Sequence, residues 1–286
     1  MDKQIETRDG WVLRGREWPH EPARGTIVLV HGLGEHVGRY AHVAAFLNAR
    51  GWRVVGYDHR GHGRSDGARG RLADVDDLLV DLARVLDTVR AEHPGGPLVL
   101  LGHSLGGLVA ARFVAGALAP AASWSRPVDA LVLSSPVLAT EMSPLQKAML
   151  AVLGPLTPNH AVANGLKPEW ISRDPAVVAA YKADPLVHDR IAPRLARFVV
   201  DGGPFVQHVA PRWTVPTLLL YAGADRCVPP AGSAAFAAAA PKELVTARVY
   251  PALFHEIMNE PEQAEVLSVL GEWLDTLAIS PTRSPR

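Results

Sequence analysis

The run Gly102-His103-Ser104-Leu105-Gly106-Gly107, set directly after Pro97-Leu98-Val99-Leu100-Leu101, constrains this chain more than any other segment. A short unbroken apolar run bounded by turn residues predicts a buried strand. The residues from about Leu105 to Gly116 predict a helix, which leaves Ser104 in a tight strand-to-helix turn. That is the arrangement of a nucleophile elbow, where serine sits at the tip of a strained turn with its hydroxyl above a sheet. Flanking glycines are needed where a side chain would collide with the neighbouring strand or helix. Five such residues also occur by chance in ordinary strand–helix turns, so the motif gains its weight from partner residues further along the chain.

Strand and helix patterns alternate on both sides of the elbow, which predicts a mostly parallel sheet with helices on both faces. Ile5 to Trp18 reads as a hairpin turning at Asp9-Gly10. Thr26 to Val30 is a fully apolar strand, as expected when both sheet faces are covered. A helix is expected near Tyr40 to Arg50 and a strand at Arg53 to Tyr57. In Asp74 to Arg90 the residues Val75, Leu78, Leu79, Leu82, Val85, Leu86 and Val89 form one helical stripe, with Asp74 as N-cap and Asp77 three positions on. Strands at Ala130 to Ser134, Pro216 to Tyr221 and Leu244 to Tyr250 follow, with helices near Ala231 to Ala240 and Pro261 to Leu277. Between about Val137 and Ala210 the alternation breaks into scattered prolines and short helical patterns. That stretch reads as an inserted helical cap, residues 137–210, on a core of residues 1–136 and 211–279. Residues 280–286 read as a disordered tail.

A serine hydroxyl needs a base, usually histidine, and the base needs an orienting acid. On sheets that carry this elbow the acid follows a later strand and the histidine precedes the last helix. Asp225 stands just after the strand ending at Tyr221, and His255 stands after the last strand. A turn aspartate or a loop histidine alone is ordinary; the two in this order, about thirty residues apart, form a triad with Ser104. Asp201 falls at the end of the cap, and Asp129 precedes its strand, at the wrong edge of the sheet. His103 is expected to be held in the elbow, facing away from the base position, and His208 falls in the cap exit. Two backbone N–H groups must meet the developing oxyanion. Leu105 supplies one, and Leu33, in His31-Gly32-Leu33-Gly34-Glu35-His36, supplies the other.

Composition narrows the alternatives. The formal net charge is 0 across 286 residues, and no basic cluster points to nucleic acid. His31, His36, His59 and His62 lack a carboxylate or cysteine at ligand spacing, so no metal is expected. No phosphate-binding loop is present, and no cofactor is expected. The one cysteine, Cys227, excludes an internal disulfide and fits a reducing, cytoplasmic setting. It reads as a neighbour of the acid loop, within reach of thiol reagents that block the site. The N-terminus lacks a secretory h-region, and no apolar stretch is long enough to span a bilayer.

Four motifs in order resemble the monoacylglycerol lipases and related lysophospholipase-like serine hydrolases of the α/β-hydrolase superfamily. They are His31 to His36 with Gly38-Arg39-Tyr40, Asp58-His59-Arg60-Gly61-His62-Gly63-Arg64-Ser65, the elbow, and His255-Glu256-Ile257-Met258-Asn259-Glu260. The resemblance implies Ser104 as nucleophile, Asp225 as acid, His255 as base and Leu33 with Leu105 as oxyanion donors. It also implies an α/β-hydrolase fold with a helical cap over an apolar acyl tunnel, and cleavage of a fatty-acid ester of glycerol. A carboxylesterase or a lysophospholipase would use the same machinery. Leu145, Met149, Val152, Leu153 and Leu156 are an apolar stripe in the cap, read either as tunnel lining with transient contact to lipid surfaces or as packing of cap on core. The partner expected is a lipid ester; oligomeric state is left open.

Overall fold

The computed structural model describes residues 1–118 and 121–277; the expected disordered tail lies outside them. An eight-stranded sheet runs in the order β1 (Asp2–Glu6), β2 (Val12–Trp18), β4 (Arg53–Tyr57), β3 (Thr26–Val30), β5 (Leu98–His103), β6 (Ala130–Ser134), β9 (Thr217–Ala222), β10 (Val245–Tyr250). β1 with β2 and β2 with β4 are antiparallel; every other pairing is parallel. The hairpin turns at Gly10, whose positive φ of 83° suits glycine.

The parallel strands other than the edge strand β10 are buried on both faces, and their side chains divide by the two-residue period of a strand. Val28, Val30, Leu100, Leu131, Leu133 and Leu219 meet α2 (Asp77–Glu92), α3 (Leu105–Ala115) and α6 (Pro193–Val209) on one face. Ile27, Leu29, Val99, Leu101, Val132, Leu218 and Leu220 meet α1 (Ala41–Ala49) and α8 (Gln263–Thr276) on the other. α7 (Pro230–Ala239) packs Phe236 beside Trp213.

α2 starts at Asp77, two residues later than an N-cap at Asp74 predicts. Asp74 and Asp77 still pair as expected of a cap: Asp74 Oδ1 accepts the Asp76 N–H at 3.0 Å, and Asp77 Oδ2 accepts the N–H groups of Ala73 and Asp74 at 2.7 and 2.8 Å while also pairing with Arg60. The segment before the helix is thereby held as a turn, and Val75 is exposed rather than part of the apolar stripe.

Between β6 and β9 the chain forms α4 (Pro144–Leu153), α5 (Pro175–Ala183), a two-residue ribbon of β7 (Val162–Ala163) with β8 (Arg190–Ile191), and α6. α6 returns to the main body and buries Leu195, Phe198, Val206 and Val209. The segment before it docks on the ends of the parallel strands. His188 N–H donates to Gly34 O at 2.8 Å, Ala192 N–H to Gly70 O at 2.9 Å, and Glu256 N–H to Ile171 O at 2.8 Å. The apolar stripe of the cap faces neither core nor tunnel: Leu145, Met149 and Val152 on α4 are 70, 50 and 65% exposed and Leu156, just beyond it, 75%; the side chain of Leu153 lies outside what the structure describes.

Candidate active site

Ser104, Asp225 and His255 come from three loops at the same end of the parallel strands, the end where ligands bind in open α/β sheets. Ser104 lies between β5 and α3 with φ 54° and ψ −118°, a conformation that L-residues rarely hold. It is fixed from both sides, since Ser104 N–H donates to Ser134 O at 3.0 Å and Ser104 O accepts from Leu108 and Val137. Such a turn leaves no room at the glycines around it. A Cβ on Gly106 would run into the carbonyls of Val30 and His31, and one on Gly102 into the backbone of Gly106 and Gly107.

The Ser104 hydroxyl donates to His255 Nε2 at 2.8 Å, and His255 Nδ1–H donates to Asp225 Oδ2 at 2.7 Å. The carboxylate can only accept, which fixes the tautomer. The second oxygen, Asp225 Oδ1, is held by the N–H groups of Cys227 and Val228 at 2.8 and 2.9 Å. Burial works against a charged His255, but the charge and hydrogen bond of Asp225 outweigh it and raise the imidazolium above its ordinary range.

The sequence places His103 away from the base; the structure instead sets its ring centroid 4.8 Å from that of His255, the two rings tilted by 52°, with Nδ1 on Ser134 Oγ at 3.0 Å. Burial, then the neighbouring His255 charge, lowers it to about 3, so it stays neutral. The rival acids are elsewhere: Asp201 pairs with Arg197, and Asp129 accepts the Leu98 N–H at the far end of β5. Leu105 opens α3 beside Ser104, and Gly32 and Leu33 line the same cavity as Ser104. Neither the Leu33 nor the Leu105 N–H meets a protein acceptor among the described residues.

That cavity has a volume of ≈ 440 Å³, within the range of small-molecule sites. Leu33, Leu166, Ile171 and Val187 give it apolar wall, while Asn164, Lys182 and Asp184 give it polar wall. None of the exposed α4 residues reaches it.

One network escaped the sequence reading. Glu35 Oε1 accepts from the Gly32 N–H and the Tyr40 hydroxyl, each at 2.6 Å. Arg39 Nη1 donates to Glu35 Oε2 at 2.7 Å, and its two Nη groups grip Glu256 at 2.6 and 2.7 Å. Arg39 therefore ties the Leu33 loop to the residue after His255. Burial would raise Glu35, but Arg39, His103, His31 and the Tyr40 hydrogen bond hold it down to about 2. The signal was present as the four-residue spacing of Glu35 and Arg39; their link to Glu256 spans 217 residues and has no local trace. Arg39→Met leaves two buried carboxylates without a cation and is expected to cost about 3–5 kcal/mol of stability. It should also depress kcat; thermal unfolding beside kinetics checks both.

A second cluster lies beneath the same loop. The rings of His31 and His59 are 4.4 Å apart, and those of His62 and His188 are 4.6 Å apart. Burial lowers His31 to about 4 and pushes His59 and His62 well below their usual value. Unfolded, each titrates near 6.5, so between there and pH 4 the unfolded chain takes up protons that the folded chain refuses. Their stabilisation is complete above about pH 6.5 and is lost as pH falls toward 4, while His255, Asp58 and Asp81, the last raised to about 6 by burial, run the other way and offset part of the loss. The melting temperature is expected to drop by at least about 10 °C between pH 7 and pH 5. A flat profile by calorimetry would contradict the buried neutral cluster.

Comparison with known proteins agrees with this arrangement. Residues 21–262 match the serine aminopeptidase S33 family model. The chain is 40% identical over 259 residues to a monoacylglycerol lipase of Mycolicibacterium smegmatis, covering 90% of each chain. It is 31% identical to the human monoglyceride lipase, covering 97% of this chain and 91% of that one. The crystal structure of a monoacylglycerol lipase from Paleococcus ferrophilus superposes with a TM-score of 0.82 at 35% identity, covering 93% of this chain and 99% of that one. The chain belongs to the serine aminopeptidase S33 family, with the α/β-hydrolase fold, and to the group within it that holds the monoacylglycerol lipases.

Proposed function

We propose that this protein is a serine ester hydrolase that cleaves monoacylglycerols to fatty acid and glycerol. Ser104 attacks the ester carbonyl while His255 Nε2 takes its proton, and the N–H groups of Leu33 and Leu105 receive the oxyanion. His255 then protonates the departing glycerol oxygen, which leaves an acyl group on Ser104. Water, activated by the same nitrogen, releases the fatty acid. Asp225 holds the tautomer and stabilises the imidazolium. No step calls for a cofactor.

The observation that carries this reading is the aligned relay in the strained elbow, 2.8 Å from Ser104 Oγ to His255 Nε2 and 2.7 Å from His255 Nδ1 to Asp225, opening on a cavity with both apolar and polar wall. The apolar wall suits an acyl chain and the polar wall a glycerol head. Residues 137–210 act as the cap that sets this fit. Hydrolysis of a monoacylglycerol series from octanoyl to stearoyl, beside matched lysophospholipids and p-nitrophenyl butyrate, tests the substrate. Monoacylglycerols should be turned over best; a preference for the short activated ester would make it a carboxylesterase, and one for the phosphorylated head a lysophospholipase.

The exposed face of α4 is proposed to touch lipid surfaces transiently, since the large apolar side chains of Leu145, Met149 and Val152 stand out from this one cap helix, with Leu156 exposed just beyond it. Leu145→Glu with Val152→Glu should abolish sedimentation with phospholipid vesicles while leaving hydrolysis of p-nitrophenyl butyrate intact. Unchanged sedimentation would remove α4 from that role.

A further inference from the structure

The donor atoms of Asp225, Cys227 and His255 lie within 4.8 Å of one another. Cys227 and His255 both line the cavity that holds Ser104, so a small solute reaches them by the path open to substrate. The Cys227 thiol has no part in the reaction above; only its backbone N–H does, on Asp225 Oδ1. A carboxylate, an imidazole and a sulfur are a donor set that zinc and similar thiophilic cations take. Metal–ligand bonds of the usual length put such donors roughly 3.3–3.8 Å apart in a tetrahedral site. No pair of these donors is further apart than 4.8 Å, and the hydrogen-bonded His255–Asp225 pair, at 2.7 Å, opens to reach that spacing.

We propose that Asp225, Cys227 and His255 form an inhibitory site for a thiophilic divalent cation of the zinc class, with His255 bound through Nδ1. The cation replaces the proton on Nδ1, and that proton passes to Nε2, so the imidazole stays neutral. The thiol proton goes to solvent and the thiolate binds; nothing is oxidised or reduced. With its lone pair on Nδ1 given to the metal and a proton on Nε2, His255 can no longer accept from Ser104. The nucleophile is switched off for as long as the cation stays, and the fourth coordination position opens to water in the cavity.

The other grouping of comparable spacing among the described residues, Glu17, Glu92 and His93, already has a cation, since the Lys3 ammonium pairs with Glu17 and Glu92. It lies outside the catalytic cavity and serves as an internal control, because binding there would ignore Cys227.

Binding is read separately from turnover, because only the inhibitory effect rests on the triad reading. The full chain and its Cys227→Ala variant, which keeps the backbone N–H on Asp225, are first matched by thermal unfolding. Cadmium titration should then give sulfur-to-cadmium charge-transfer absorption saturating at one equivalent in the wild type and none in the variant. Zinc should block fluorophosphonate labelling of Ser104 and hydrolysis of p-nitrophenyl butyrate in the wild type, reversibly with EDTA. Half-inhibition of Cys227→Ala should need about 10- to 100-fold more zinc. Absent cadmium–sulfur absorption in the wild type, or equal zinc sensitivity of the two proteins, overturns the site. A protein without esterase activity would still give the cadmium result, so failure of the site and failure of the hydrolase reading are told apart.

Discussion

Ser104→Ala is expected to lower kcat by about six orders of magnitude, the loss seen when a triad serine is removed from a comparable enzyme. The reason is local. His255 is already hydrogen-bonded to the Ser104 hydroxyl and to Asp225, so base and acid stay in place with nothing to activate. Substrate binding should survive, because the cavity walls and both N–H donors are untouched. Stability offers an independent readout. Alanine keeps a Cβ in the φ 54° conformation, whereas Ser104→Gly removes it. The glycine variant should be equally inactive but more stable than the alanine variant by about 1 kcal/mol. Near-normal turnover in Ser104→Ala would show that another residue attacks.

Asp225→Asn is expected to cost about 10⁴-fold in kcat. An amide can donate toward Nδ1, which drives the imidazole proton to Nε2, the side that must accept from Ser104. The pH dependence should change as well. In the wild type, rate rises with pH as His255 loses its proton, and the carboxylate places that limb above the ordinary histidine value. Without it burial dominates and the limb moves to lower pH. A variant with a normal limb and a small loss of rate would mean that Asp225 does not orient the base.

The sheet and the elbow were legible because both leave local patterns. Unbroken apolar strands such as Thr26–Val30 report burial on two faces, and the glycines around Ser104 report the close approach of Val30 and His31. Chain order singled out Asp225 and His255, which the fold brings into hydrogen-bond contact with each other and with Ser104. What was missed depends on distant groups. Asp74 and Asp77 do pair as a cap, but the sequence does not show that Arg60 also joins Asp77. Glu256 looked like any charged loop residue until Arg39 reached it across the fold. The α4 stripe has helical spacing, but spacing alone cannot say whether a stripe meets core, tunnel or solvent; here it meets solvent.

The central claim is that Ser104 carries the acyl group of a monoacylglycerol. Mixing enzyme with a long-chain monoacylglycerol, quenching in acid within the first turnovers and mapping peptides by mass spectrometry tests it directly. The expected result is the fatty acyl mass on the peptide that holds Ser104, absent from Ser104→Ala. Free fatty acid released with no acyl on that peptide, or with the acyl mass on another residue, would contradict the claim.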